Sequence, residues 1–235
     1  MKTLGIIGGM GPLATADFYM KLVQMTDAKH EFEHIHTLID SNPSIPDRSS
    51  FIKTGVDDPT GELVASLKRL ERMGADLIAM PCNTAHYFYD VLCANTELTF
   101  INMIDETIHH ALSVADATDR IGLLATTGTY DSKIYESSAI RFGFKLVVPP
   151  ESVKQQLMSL IYALKNGETN QIESIKQKVY DYMDHQNLDA WILGCTELPI
   201  ILKDGITKYN MIDSTLILAQ ASILAVGGKV KSQEC

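Results

Sequence analysis

Two short stretches far apart in the chain repeat one pattern. Asp76-Leu77-Ile78-Ala79-Met80-Pro81-Cys82 sets an Asp six residues before a Cys, with an apolar run between them. Asp189-Ala190-Trp191-Ile192-Leu193-Gly194-Cys195 does the same 113 residues later. Apolar runs of this length, bounded by turn residues, mark strands buried on both faces of a parallel sheet. Each Cys then stands at the C-terminal edge of its strand, where open α/β sheets bind ligands. Two further echoes keep the same order. Gly5-Ile6-Ile7-Gly8-Gly9-Met10-Gly11 is answered 117 residues on by Gly122-Leu123-Leu124-Ala125-Thr126-Thr127-Gly128. Asn102-Met103-Ile104-Asp105-Glu106-Thr107 is answered 108 residues on by Asn210-Met211-Ile212-Asp213-Ser214-Thr215.

Three matches in order predict a duplicated α/β unit of normal domain size. The expected architecture is two similar lobes, each a four-stranded parallel sheet flanked by helices. The first spans 1–112 and carries Cys82, the second spans 113–213 and carries Cys195, and a last helical segment covers 214–235. Facing lobes bring the two thiols to opposite walls of one cleft. The elements alternate strand and helix throughout, as parallel sheets require. Strands are expected at 3–8, 33–40, 75–81, 99–103, 120–125, 143–148, 189–195 and 208–213. Helices are expected at 14–28, Thr60–Met73, 84–93, 105–115, 130–141, 151–164, 168–186 and 214–227, with a short one after Thr196. A polar, Pro-bearing loop at 41–50 leaves the ligand-binding edge and is a natural binding loop, and 165–167 reads as another loop.

Composition narrows the classes of function. A net charge of −9 opposes binding to nucleic acid or an anionic membrane. No apolar stretch approaches the roughly 20 residues that span a bilayer. The strand at 3–8 leaves no room for a signal peptide, so the expected compartment is the cytoplasm. There the four cysteines, Cys82, Cys93, Cys195 and Cys235, do not form a disulfide framework.

A Cys at the start of a helix is expected to have its pKa lowered by the helix dipole and free backbone N–H groups. A free thiol titrates near about 8.5, so a modest shift makes a thiolate at neutral pH. A thiolate and a thiol across a cleft can take a proton from one face of a carbon and return another to the opposite face. Asn83, Thr84 and Thr196, with the N–H groups after each Cys, are placed to hold a carboxylate and its enediolate-like charge. The bland reading, two buried structural cysteines, is ordinary for either alone. Two at equivalent sheet edges favour chemistry.

Met80-Pro81-Cys82-Asn83-Thr84-Ala85-His86 and Gly194-Cys195-Thr196-Glu197-Leu198 resemble the two signatures of the aspartate/glutamate racemase family. Gly8-Gly9-Met10-Gly11-Pro12 and Ile45-Pro46-Asp47-Arg48-Ser49 resemble two further blocks of its aspartate racemase branch. The resemblance covers essentially the whole chain. Glutamate racemases usually carry His after the second Cys-Thr, where this chain has Glu197. Some relatives lose one Cys and decarboxylate or isomerise instead, and this chain keeps both. The resemblance implies an isomerase, a racemase of an acidic amino acid, aspartate first and glutamate second. It implies no cofactor, neither PLP nor metal, a homodimer, and a last helix packed back on the first lobe. Cys82 and Cys195 would be the catalytic pair, and Arg48 and Lys165 would grip the substrate carboxylates. Asn83, Thr84 and Thr196 would complete the pocket, lined further by Met10, Ala85 and Thr126.

His86 follows Cys82 by four residues, the spacing of a zinc pair, but a structural hydrogen bond is the simpler reading. Glu197 either tunes Cys195 or caps the helix after it. Gly9-Met10-Gly11-Pro12-Leu13-Ala14 also fits the dinucleotide fingerprint, with Asp40 ending the second strand. A nucleotide-binding oxidoreductase is therefore the rival enzyme, though it leaves the paired thiols unexplained. A catalytically silent amino-acid-binding protein is the rival from another class.

Overall fold

The computed structural model describes residues 1–114 and 120–231. Cys235 and the end of the last expected segment lie outside the described residues. In the first lobe the order is β1 (Leu4–Gly8), α1 (Pro12–Met25), β2 (Thr37–Ser41), α2 (Arg48–Thr54), α3 (Thr60–Met73), β3 (Leu77–Ala79), α4 (Tyr89–Cys93), β4 (Thr99–Phe100) and α5 (Met103–Val114). The second lobe holds β5 (Ile121–Ala125), α6 (Thr127–Ser132), α7 (Ile134–Arg141), β6 (Leu146–Val147), α8 (Glu151–Asn166), α9 (Ile172–Asp184), β7 (Ala190–Gly194), α10 (Leu198–Ile201), β8 (Met211–Asp213) and α11 (Ser214–Ala225). The sheets run β2-β1-β3-β4 and β6-β5-β7-β8, and every pairing is parallel. The expected α/β class and the two four-stranded sheets are both observed.

Sheet register tests the echoes residue by residue. Gly5 pairs with Ile78 and Gly122 with Trp191, so the first two echoes occupy equivalent places. Both glycines are required by close packing. A Cβ on Gly5 would stand 2.9 Å from the Cβ of Ala75, and one on Gly122 only 2.3 Å from the Trp191 ring. The third echo is out of register. Ile78 pairs with Phe100 and Trp191 with Met211, so Met211 answers Phe100 rather than Met103. Met103 already belongs to α5.

The lobes exchange their last helices. Ile104, Ile108 and Ala111 of α5 join Ile121, Leu123, Ala190 and Ile192 in the core of the second lobe. Leu218, Ala219 and Ile223 of α11 join Leu4, Ile6, Leu77 and Ala79 in the core of the first. Each sheet is thus covered on one face by a helix from the other lobe.

Local chemistry explains where elements begin and end. In α3, Leu63, Leu67 and Leu70 are fully buried at helical spacing, each burial stabilising by about 1.5–3 kcal/mol. Gly74 ends it at φ 93, a left-handed cap. Other boundaries differ from expectation. The loop at 41–50 turns helical at Arg48, because Asp47 caps α2 by accepting from the Ser50 N–H at 2.8 Å. The helix expected at 84–93 is a 3-10 turn, Thr84–Phe88, followed by α4. The helix expected at 130–141 is broken at Lys133, which sits at φ 55. Lys165 lies in the last turn of α8, not in a loop, because the left-handed cap falls on Gly167. A 3-10 turn, Thr169–Gln171, replaces the start of the helix expected at 168–186. Among the described residues no helix is long and apolar enough to cross a membrane.

Candidate active site

The two Cys motifs meet where the C-terminal edges of the sheets face each other. Cys195 follows β7 directly and Cys82 follows β3 after Met80-Pro81. Both are buried, each 5% exposed. They line one chamber with Met10, Asp47, Arg48, Ser49, Asn83, Thr84, Thr126, Lys165, Thr196 and Glu197. Its volume is about 10 Å³, room for about one water. Asp47, Ser49 and Glu197 were not expected in the binding set. Their signal lay in the motifs themselves, beside Arg48 and Thr196.

Charge is distributed unevenly around the chamber. The Cys195 thiol donates to Glu197 Oε2 at 3.0 Å, and the Thr196 hydroxyl donates to the same oxygen at 3.2 Å. Glu197 makes no cap hydrogen bond to α10, so its carboxylate serves the chamber. Lys165 Nζ stands 3.7 Å from Glu197 Oε1. Burial, then the Glu197 charge, pushes the Cys195 thiol well above its ordinary pKa, with Lys165 opposing. The expected lowering by a helix dipole is overturned here, because α10 is a single turn and the nearest full charge is negative. Burial disfavours the Lys165 cation, but Glu197 and the two sulfurs outweigh it and hold its pKa above the usual lysine value.

Arg48 is buried and meets no carboxylate among the described residues. Its Nη1 donates to the carbonyls of Ile45 at 3.3 Å and Pro46 at 3.0 Å, and its Nη2 to that of Met10 at 3.1 Å. Nε has no partner among the described residues. Guanidinium carries five N–H donors, so two remain for a ligand. The backbone N–H groups of Asn83, Thr84 and Thr196 donate to no other group among the described residues. They form a second set of free donors on both walls.

Side chains behind the chamber tie the lobes together. Tyr135 donates to Asn83 Oδ1 at 2.6 Å, and Asn83 Nδ2 donates to Ser214 Oγ at 3.1 Å. Thr84 Oγ1 lies 2.8 Å from Thr126 Oγ1 and 3.1 Å from Thr129 Oγ1. Asn83, Thr84 and Thr126 therefore line the site while their polar atoms bond across the cleft. Ala85 does not reach the chamber. It lies in the first lobe's apolar core with Ile78 and Met80.

Both nitrogens of His86 are engaged. Nε2 accepts the Met103 N–H at 3.1 Å, which leaves Nδ1 to donate to the Cys82 carbonyl at 2.9 Å. Burial lowers its pKa to about 4, so it is neutral. Among the described residues no group of three or more His, Cys, Asp or Glu side chains is placed to hold a metal. The Asp40 carboxylate faces Arg69 at 2.8 Å rather than an open ribose site.

Residues 7–222 match the model of the family described as Asp/Glu/hydantoin racemase. A broad-specificity amino-acid racemase of Bacillus subtilis is 26% identical over 227 residues, 94% of this chain and 96% of that one. The solved structure of Picrophilus torridus aspartate racemase matches with a TM-score of 0.87 at 32% identity, covering 98% of this chain and 96% of that one. An aspartate racemase homologue from Pyrococcus horikoshii matches with a TM-score of 0.75 at 28% identity, covering 97% and 100%.

Proposed function

The chain belongs to the Asp/Glu/hydantoin racemase family, and from that membership we propose that it racemises an acidic amino acid, aspartate before glutamate, by proton transfer between Cys82 and Cys195. The observation that carries this reading is two buried thiols on one small chamber, each supplied by the equivalent edge of a duplicated sheet. The aspartate preference is supported by the likeness to the Picrophilus torridus aspartate racemase.

In the proposed reaction Arg48 takes a carboxylate on its two free N–H groups, a charge-assisted and geometrically demanding contact. Lys165 holds the other, and Asp47 and Glu197 supply negative charge for the ammonium group. The free N–H groups of Asn83, Thr84 and Thr196 stabilise the enediolate-like charge as it develops. Removing one such donor commonly costs 10²–10³ in rate, by about 3–4 kcal/mol. Because Cys195 is held as a thiol on Glu197, it is the proton donor of the resting form. Cys82 as thiolate removes the α-proton, and the Cys195 S–H supplies the replacement on the opposite face. Cys82 is then a thiol and Cys195 a thiolate, the arrangement needed for the reverse direction. The chemistry draws on these side chains and backbone groups alone.

Deuterium tests the proposal. Starting from pure L-aspartate in D₂O and stopped early, the D-product is expected to carry solvent deuterium while recovered L-aspartate stays largely protiated. Early labelling of both enantiomers to the same extent would point to a single base and overturn the two-thiol mechanism. Stable binding of aspartate with no change in optical rotation would favour a silent binding protein instead.

A further inference from the structure

The chamber between the thiols is too small for any amino acid. Even the atoms around an α-carbon exceed a space that admits one water, so part of the wall yields when substrate binds. The direction with free volume is clear. A vestibule of about 520 Å³ adjoins the chamber and shares Met10, Asp47, Arg48, Lys165 and Glu197 with it. Those five residues are the partition between the two spaces. Neither Cys lines the vestibule, so the reacting carbon stays inside and whatever projects past the partition enters the outer space.

The vestibule is far larger than an aspartate side chain needs, and falls in the size range of small-molecule sites. Beyond the partition its lining side chains are apolar, those of Pro12, Leu13, Pro43, Ile45 and Leu164, with the backbone of Gly9 and Gly11 beside them. The partition carries two cations and two anions, with no net charge to reject a neutral group. Lys165 already has Glu197 as a partner at 3.7 Å. A substrate with one carboxylate, held by Arg48, leaves no bare lysine behind. We infer that the vestibule receives the substrate's side chain and admits α-amino acids with neutral, apolar side chains, of which methionine is the probe, alongside aspartate. The inference rests on the racemase reading of the chamber and extends its substrate class.

The experiment compares aspartate and methionine as substrates of the full chain and of Leu13→Trp. Leu13 is 53% exposed on the first turn of α1, so a larger side chain there fills the vestibule without disturbing the core. A closed pocket discriminates about 10–200-fold for a single methylene, and would reject methionine's longer chain by more. The expected kcat/KM for methionine is within about a hundredfold of that for aspartate. In Leu13→Trp the methionine value is expected to fall at least tenfold, with aspartate changed by no more than about threefold. Aspartate turnover with no methionine turnover overturns the inference and leaves the racemase reading standing. So does an equal loss of both substrates in Leu13→Trp, which would make the vestibule a passage only. Absence of α-proton exchange with aspartate and methionine alike overturns the racemase reading, and this extension with it.

Discussion

Cys82 and Cys195 occupy equivalent places in a duplicated fold, yet their surroundings diverge within four residues. Cys195 is followed at the second position by Glu197, which accepts its S–H and holds Lys165. Cys82 is followed at the fourth position by His86, which bonds its backbone carbonyl and leaves the sulfur alone. Among the described residues no side-chain acceptor lies within hydrogen-bonding distance of the Cys82 sulfur. The cations differ in the same way, since among the described residues Arg48 of the first lobe meets only carbonyls while Lys165 of the second meets a carboxylate. Duplication thus supplied symmetric backbone edges. The chemical asymmetry comes from the few side chains that follow each Cys.

Replacing either thiol addresses the symmetric part and has the largest expected effect. Cys82→Ser and Cys195→Ser are each expected to lower racemisation of aspartate at least a thousandfold by polarimetry. A serine hydroxyl is too weak an acid to form the required anion, and lost proton transfer typically costs 10²–10⁴-fold. Near-normal turnover in one of them would mean that its partner acts alone.

The asymmetric groups give smaller and unequal effects. His86 titrates near about 4 when folded and near about 6.5 when unfolded. The folded pKa is the lower one, so the unfolded chain binds the extra proton. The associated stability is present above about pH 6.5 and lost as pH falls through about 4. The loss is about 3 kcal/mol. Urea unfolding of the parent chain at pH 7 and pH 4 is expected to show it, and His86→Gln to lack that part of the slope. An identical slope in both would place the acid sensitivity elsewhere.

Arg48→Ala removes a charged partner worth about 1.5–3 kcal/mol, so kcat/KM for aspartate is expected to fall at least tenfold. Lys165→Ala is expected to cost less, because Glu197 already occupies that cation. The reverse ranking would show that Lys165 leaves Glu197 on binding and becomes the main anchor. The smallest effect is expected from Glu197→Gln, no more than about tenfold in kcat/KM, or about 1.4 kcal/mol. Its signature is in pH. Removing the Glu197 charge removes one cause of the raised Cys195 pKa, so in a Cys82→Ser background alkylation of Cys195 should begin at lower pH. An unmoved profile would leave burial as the whole cause.

What was legible in the sequence follows the same division. Strands with continuous apolar runs, such as Ala190–Gly194, and helices with clean spacing, such as Thr60–Met73, were readable because local pattern and burial agree. The break at Lys133 carries no Gly or Pro, and the cap on Gly167 sits one residue past the Asn166 that also suits a turn. The start of α2 was signalled by Asp47, but Pro46 just before it disguised it. In the site, the residue types were plain from the two motifs. The state of Cys195 was not, since it depends on burial and on where the Glu197 carboxylate points. Nor was the slip of the third echo, because Asn-Met-Ile-Asp recurs in both lobes while sheet pairing aligns Phe100 with Met211.

The exchange of last helices sets an order of assembly during synthesis. Helix α5 is made before the second sheet, so that sheet can close on a covering helix already present. The first sheet has no such help. Its missing cover is α11, and Met25, Asp27 and Lys2 are bonded to the backbone of residues just after that helix. Most of the chain must therefore leave the ribosome before the first lobe closes, a long-range closure that slows folding. A nascent chain stopped at Asp213 is expected to leave the α1 face around Phe18 open to protease, while one extended through Lys231 protects it. The half of the molecule made first is the last to be finished.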